Sequence, residues 1–384
     1  MKSRLYLPSL DGLRFIAFLL VFIHHSPPFV VEGARNVAVR ILHGIQSRGW
    51  IGVDLFFALS AYLLTRLLCR EHAAFGSIDL RSFYVRRALR IWPLHFFAVL
   101  VGTLLLPLAG VLGPAWTTEE HTQLVQRHTI ANVLLMGNYS AGIWGYAPSK
   151  MMSALWSISL EEQFYLFWPW TLRYVLKRSP WARLLILLGM VLLSVTAKLC
   201  LASVTQHPFL WTATFCRLEP FVIGAALALA AEGLLPVRFR QPSPFAALMA
   251  LMASVALVAA LPNVDSQGLS SIALFGAAAC FAGSLLPLAL AEGSTMMRVL
   301  GSPPARWMGT VTYGLYVYHI AAFAIVGGEV EQTGLQPGAP LTWFVTTLAA
   351  LLLTGALARV SYALLERPFV RMKDRYARIL SRPP

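Results

Sequence analysis

The sequence predicts an all-α polytopic integral membrane helix bundle with about ten transmembrane helices and both termini cytoplasmic. Composition, runs of span length and a one-sided distribution of basic residues each point there. Hydrophobic residues make up 57% of the 384 and charged residues only 12%. The mean hydropathy is +0.65, outside the range of soluble domains.

A helix-length window places spans near 12–31, 50–69, 91–112, 155–176, 182–204, 211–232, 244–262, 270–291, 310–328 and 341–364. The first, with "LDGLRFIAFLLVFIHHS", reads as a retained span because no small-x-small cleavage site follows it. The long connection near 113–153 has room for an interfacial helix at "TQLVQRHTIANVLLMG". The fourth span is unusual in carrying two adjacent glutamates in "WSISLEEQFYLFWPW". After the tenth comes a polar, basic tail at about 367–384. No Gly-, Ser- or Pro-rich linker divides the chain, so residues 1–384 are expected to form a single membrane domain.

Orientation follows from the cations, which accumulate in short cytoplasmic loops. With the N-terminus inside, 22 of the 31 lysines and arginines fall on cytoplasmic segments, and only Arg35, Arg40, Arg48, Arg127 and Lys150 on the opposite ones. The net charge of +14 is accounted for by topogenic arginines and anionic membrane lipids, so no nucleic-acid partner is called for. Cys69, Cys200, Cys216 and Cys280 lie in or beside apolar runs and read as small buried hydrophobes. No metal or redox chemistry is indicated.

Titratable residues inside spans cost several kcal/mol each, so each needs a partner, a water-filled cavity or a task. Arg14 and His25 are eleven residues apart, which at 100° per residue returns to within ~20° of one helix face, ~16 Å along the axis. His24 lies off that line by ~80°. Asp11 and Arg14 also suit an ordinary helix start, paired three residues apart. In "FYVRRALRIWPLHFF", Arg86 and Arg90 are a turn apart and, with Arg87, can present guanidinium forks to a polyphosphate. Ordinary positive-inside anchoring is the competing account of that cluster. At least one of Glu161 and Glu162 should face a polar cavity. Asp54, His319 and Glu366, taken singly, read as structural.

Six blocks in order, "LPSLDGLRFIAFLLVFIHH", "GVDLFFALSAYLL", "YVRRALRIWPLHF", "LWSISLEEQFYLFWP", "YGLYVYHI" and "LERPF", resemble the membrane acyltransferase 3 family over essentially the whole chain. These are integral-membrane O-acyltransferases of bacterial polysaccharide and lipopolysaccharide modification. The resemblance implies a bacterial cytoplasmic (inner) membrane enzyme with no tightly bound cofactor. It would move an acyl group, usually acetyl, from acyl-CoA to a hydroxyl of a glycan or glycolipid, an exopolysaccharide or lipopolysaccharide being the expected acceptor. Other polysaccharide-synthesis proteins are expected partners.

The family's Arg-ten-His pattern matches Arg14 and His25, its arginine cluster matches Arg86, Arg87 and Arg90, and its glutamate matches Glu161. Ala61 stands where the family usually has glycine. Some relatives carry an extracytoplasmic hydrolase-like domain for which this chain has no room, so delivery is expected of the membrane domain alone. On this reading the three arginines hold the donor phosphates and His25 is general base or acyl relay. Asp11 and Arg14 orient neighbouring groups, and Glu161 shares or tunes the proton. Two alternatives stay open: an O-acyltransferase for a small hydrophobic acceptor such as a macrolide or lipid-linked sugar, and a transporter or flippase.

Overall fold

A computed structural model describes residues 5–29, 37–105, 119–202, 205, 207–236, 243–263, 269–336 and 338–379. Among these, the helices are α1 Pro8–His24, α2 Val37–Arg48, α3 Ile51–Phe75, α4 Leu80–Leu100, α5 Glu119–Val133, α6 Gly137–Trp144, α7 Leu155–Leu176 and α8 Pro180–Leu201. They continue as α9 Phe209–Thr212, α10 Glu219–Ala231, α11 Pro244–Ala260, α12 Leu269–Leu290, α13 Thr295–Leu300, α14 Pro303–Gln332, α15 Pro340–Ser361 and α16 Arg367–Lys373. A helix overlaps each of the ten expected spans, of which residues 30–31, 106–112 and 203–204 lie outside the described residues. By length and composition, five helical segments can cross a membrane: α3, α8, α12, α14, and α15 continued to Lys373. The chain is a multi-pass membrane protein.

Local chemistry sets where the helices start and stop. Proline occupies the first turn of α1, α8, α10, α11, α14 and α15, where its missing N–H costs nothing. Ser179, Ser243 and Ser294 cap α8, α11 and α13 with their side chains. α3 stops at Gly76, whose φ of 69° is left-handed. Asp79 accepts the Ser82 amide at 3.1 Å and the Ser82 hydroxyl at 2.7 Å, starting α4 eleven residues before the expected third span. Those bonds hold the Asp79 carboxyl below the usual carboxylate range. The basic cluster therefore lies within α4 rather than ahead of a helix. α1 ends seven residues early, since Pro27 and Pro28 follow its last turn.

The expected sixth span, 211–232, is broken. α9 and a 3₁₀ turn at Thr214–Cys216 precede α10. The break places Arg217 and Glu219 in a buried ionic network. Arg217 meets Asp54 of α3 at 2.8 Å, Lys198 of α8 pairs with Glu219, and Ser194 donates to Glu219 at 3.0 Å. Trp211 and Phe275 lie against the Arg217 guanidinium at 4.0 and 4.8 Å. Two cations and two carboxylates thus cancel inside the bundle, and Asp54 and Arg217 are 0% and 1% exposed. Removing one partner strands a buried charge. Asp54→Ala is expected to lower stability by about 3–5 kcal/mol, read as thermal unfolding in detergent. The double variant Asp54→Ala, Arg217→Met should recover part of that loss, and an unchanged unfolding midpoint in the single variant would show the pair to be dispensable.

α1 packs between α3 and α14, and α14 packs on α15. The α1–α14 contact is close because Gly309 lacks a side chain, and the α1–α13 contact because Gly12 does: a methyl group on Gly309 would run into the backbone of Asp11, and one on Gly12 into that of Leu300. Two cysteines depart from expectation. Cys69 and Cys216 are buried, but Cys200 and Cys280 are exposed on the apolar faces of their helices, and all four are free thiols. Ala61 is fully buried.

Candidate active site

The first turns of α1 form one wall of a basic cavity of about 140 Å³. Asp11 and Arg14 line it from α1, Ser60 and Glu71 from α3, and Arg86, Arg87 and Arg90 from α4. Asp11 is 3% exposed and fully engaged. It accepts Arg14 Nη1 on one oxygen and the Tyr6 hydroxyl on the other, each at 3.1 Å. Asp11 thus bridges Arg14 and Tyr6, tying the guanidinium to the start of α1 through one nitrogen.

The three arginines of α4 differ in what they touch. Arg86 donates to the Tyr376 carbonyl at 2.6 Å and reaches Glu71 at 3.4 Å. Arg378 approaches Asp79 at 3.3 Å. The C-terminal segment therefore folds back onto α4, and Lys373, Ala377 and Ile379 help line the basic cavity. Far from trailing as a tail, residues 367–379 form part of the wall. Arg87 stacks on Tyr165 at 5.0 Å.

A second cavity of about 130 Å³ adjoins the first and shares Arg14, Ser60, Arg87 and Arg90 with it. Glu161 lines it from α7. Its carboxylate accepts Ser60 Oγ at 2.8 Å and the Tyr165 hydroxyl at 3.0 Å, with Arg14 and Arg87 near enough to act on its charge. Glu162 points elsewhere, accepting Trp92 Nε1 at 2.9 Å. The two glutamates are thus separated by their helix faces, and the polar cavity receives Glu161. Ser157 and Tyr316, whose hydroxyls lie 2.6 Å apart, also line the second cavity.

His25 lines neither cavity. It caps the C-terminal end of α1, exposed, with Nδ1 2.9 Å from the Val21 carbonyl oxygen. Its neighbour across the interface is His319 of α14, with Nε2 3.3 Å from His25 Nδ1 and ring centroids 4.9 Å apart. His319 is 0% exposed and its own Nδ1 lies 2.6 Å from the Tyr316 carbonyl oxygen. Its ring also packs on that of Tyr316. The sequence of contacts is therefore basic cavity, Glu161 cavity, Tyr316, His319, His25. His24 turns the other way, to the Gln46 carbonyl oxygen at 2.7 Å.

Of the residues singled out from the sequence, Asp11, Arg14, Arg86, Arg87 and Arg90 share the first cavity, and Glu161 joins Arg14, Arg87 and Arg90 in the second. Between the second cavity and His25 lie Tyr316, which lines that cavity, and His319, which packs on Tyr316 and meets His25. His319, Tyr316 and Ser157 enter only through the tertiary structure. Their signal in the sequence was three polar groups in apolar helices, with Tyr316 and His319 one turn apart. Glu366 is also buried, at 1% exposure, within electrostatic reach of Arg90 but with neither carboxylate oxygen hydrogen-bonded among the described residues. No group of three or more His, Cys, Asp or Glu among the described residues is placed to hold a metal ion.

Comparison with known proteins agrees with this architecture. The chain is 26% identical to the peptidoglycan O-acetyltransferase OatA of Listeria monocytogenes, over 95% of this chain and 56% of that protein. It is 24% identical to the O-acetyltransferase OatA of Staphylococcus aureus, over 96% of this chain and 58% of the relative. The chain thus spans little more than half the length of these curated relatives. No solved structure matches it. A family model described as an acyltransferase domain matches residues 7–359. With nearly its whole length matched, the chain belongs to the membrane acyltransferase 3 family.

Proposed function

We propose that the protein is a membrane O-acyltransferase that carries an acyl group, acetyl in the simplest case, from acyl-CoA to a hydroxyl of a glycan. The observation that carries this reading is the pair of joined cavities sharing Arg14, Ser60, Arg87 and Arg90. A polyanionic donor head needs the first, and a neutral arm ending in a thioester suits the second. Arg87 and Arg90 would hold phosphates by charge-assisted hydrogen bonds, with Arg86 at the mouth. Glu161, fixed by Ser60 and Tyr165, keeps the neighbouring guanidiniums in place.

Chemistry takes place beyond Tyr316. His25 accepts the acceptor's hydroxyl proton as the oxygen attacks the thioester carbonyl. The C–O bond forms, the C–S bond breaks, and His25 returns the proton to the departing thiolate. Acylation of His25 itself, followed by transfer to the hydroxyl, is the two-step version of the same exchange. The topology we favour has ten spans with both termini cytoplasmic, supported by the loop charges and by a helix overlapping each expected span. α1, α4 and α7 fall outside the five clearest spans. They carry Asp11, Arg14, Arg86, Arg87, Arg90 and Glu161.

The names of the relatives make a cell-envelope glycan the acceptor class to test first, with exopolysaccharide and lipopolysaccharide beside peptidoglycan. The purified chain in vesicles is to be given labelled acetyl-CoA and peptidoglycan, exopolysaccharide or lipopolysaccharide fragments. Alkali-labile label on a glycan hydroxyl is the expected result. Absence of transfer to any acceptor, together with solute uptake that needs His25, would overturn the enzyme reading in favour of a transporter.

A further inference from the structure

We infer that His319 is the positioning partner of His25, holding it in the tautomer that carries hydrogen on Nδ1 and leaves Nε2 bare, an assignment that builds on the reading of His25 as base or relay. A carbonyl oxygen can only accept a hydrogen bond. The Val21 oxygen, 2.9 Å from His25 Nδ1, therefore places a hydrogen on that nitrogen. By the same logic the Tyr316 oxygen, 2.6 Å from His319 Nδ1, places one there. Neutral His319 then has a lone pair on Nε2, and this is the atom 3.3 Å from His25 Nδ1. Donor faces acceptor. Any other pair of neutral tautomers breaks a carbonyl bond or sets two like groups against each other.

His25 Nδ1–H is thus shared between the Val21 carbonyl and His319, and among the described residues no hydrogen bond uses His25 Nε2. That nitrogen is the one available to take a proton or an acyl group. When it does, positive charge spreads to Nδ1–H, which already faces two acceptors and needs no rearrangement. The logic is that of a base oriented by a third group. A neutral imidazole here replaces the usual carboxylate, whose burial among apolar helices would be costly. His319 is suited to the task by being immobile: it is 0% exposed, with Phe18 edge-on at 6.2 Å and Tyr316 at 5.5 Å between ring centroids.

Two substitutions separate positioning from packing. His319→Phe keeps the volume and loses the acceptor, whereas His319→Gln offers an amide oxygen near the position of Nε2. The Phe variant is expected to lose about 100-fold in kcat with KM for acyl-CoA unchanged. The Gln variant should recover to within about tenfold of wild type. Nitrogen-15 NMR of histidine-labelled full-length protein in lipid nanodiscs supplies a readout independent of turnover, with the His25 signal assigned by its loss in His25→Ala. Wild type and the Gln variant should show the Nδ1-protonated form and the Phe variant a mixture of tautomers. Equal loss of kcat in both variants, or a His25 tautomer unchanged by Phe, would overturn the inference. Undiminished transfer by His25→Ala would instead remove the functional reading, while the spectra still decide the pairing.

Discussion

His25→Ala is expected to abolish acyl transfer, while His24→Ala is expected to keep a measurable rate. The two histidines are adjacent in sequence, but the helix sends them to different partners: His24 to the Gln46 carbonyl of α2, His25 to His319 of α14. A general base contributes about 10²–10⁴-fold to a proton-transfer step, and a nucleophilic relay is indispensable by definition. Loss in His25→Ala is therefore expected to be at least about 10²-fold, measured as labelled acyl ester formed by equal amounts of folded protein. His24→Ala removes the hydrogen bond to the Gln46 carbonyl, worth about 1 kcal/mol, and an edge-on ring contact with His25 at 5.1 Å, and is expected to cost less than removing His25 itself. Equal loss in both variants would break the assignment of separate faces.

Arg87→Ala and Arg90→Ala should each raise KM for acyl-CoA by about 10–100-fold, the cost of one charge-assisted hydrogen bond to phosphate at about 1.5–3 kcal/mol. Both residues line the junction of the two cavities. A short acyl-pantetheine thioester without the nucleotide should lose little against either variant, because the contact removed is to phosphate. Arg86→Ala should behave differently. Its guanidinium is already committed to Glu71 and the Tyr376 carbonyl, so its removal is expected to loosen the C-terminal segment more than it weakens donor binding. Limited proteolysis after residue 366 reads the first effect and KM the second. A KM unchanged in both Arg87→Ala and Arg90→Ala would move the donor head elsewhere.

Much of the helical framework was legible in the chain because hydrocarbon allows few backbone solutions, and a run of about 20 apolar residues in it must be helical. The misplaced ends have local causes. α4 begins early because Asp79 caps it, and the 211–232 run is broken where Arg217 and Glu219 turn to Asp54 and Lys198. Neither partner could be read from the segment itself. The separation of His24 from His25 was legible from helix periodicity, and so was Arg14 being three residues from Asp11.

His319 was not, because its importance lies in a neighbour 294 residues away. The same holds for Ser60, which reaches Glu161 across 101 residues. A polar residue in an apolar helix announces that it has a partner without saying which.

The amino-acid sequence by itself determines a membrane-embedded helical protein, its family and the residue types able to handle an anionic donor and a proton. Only the tertiary structure decides which of those residues meet. It divides Glu161 from Glu162, distinguishes Arg86 from Arg87, and brings His319 to His25. The physical reason is that hydropathy and helix period act along one segment, whereas a hydrogen bond or an ion pair between helices depends on packing set by distant contacts such as that of Gly309 with Asp11.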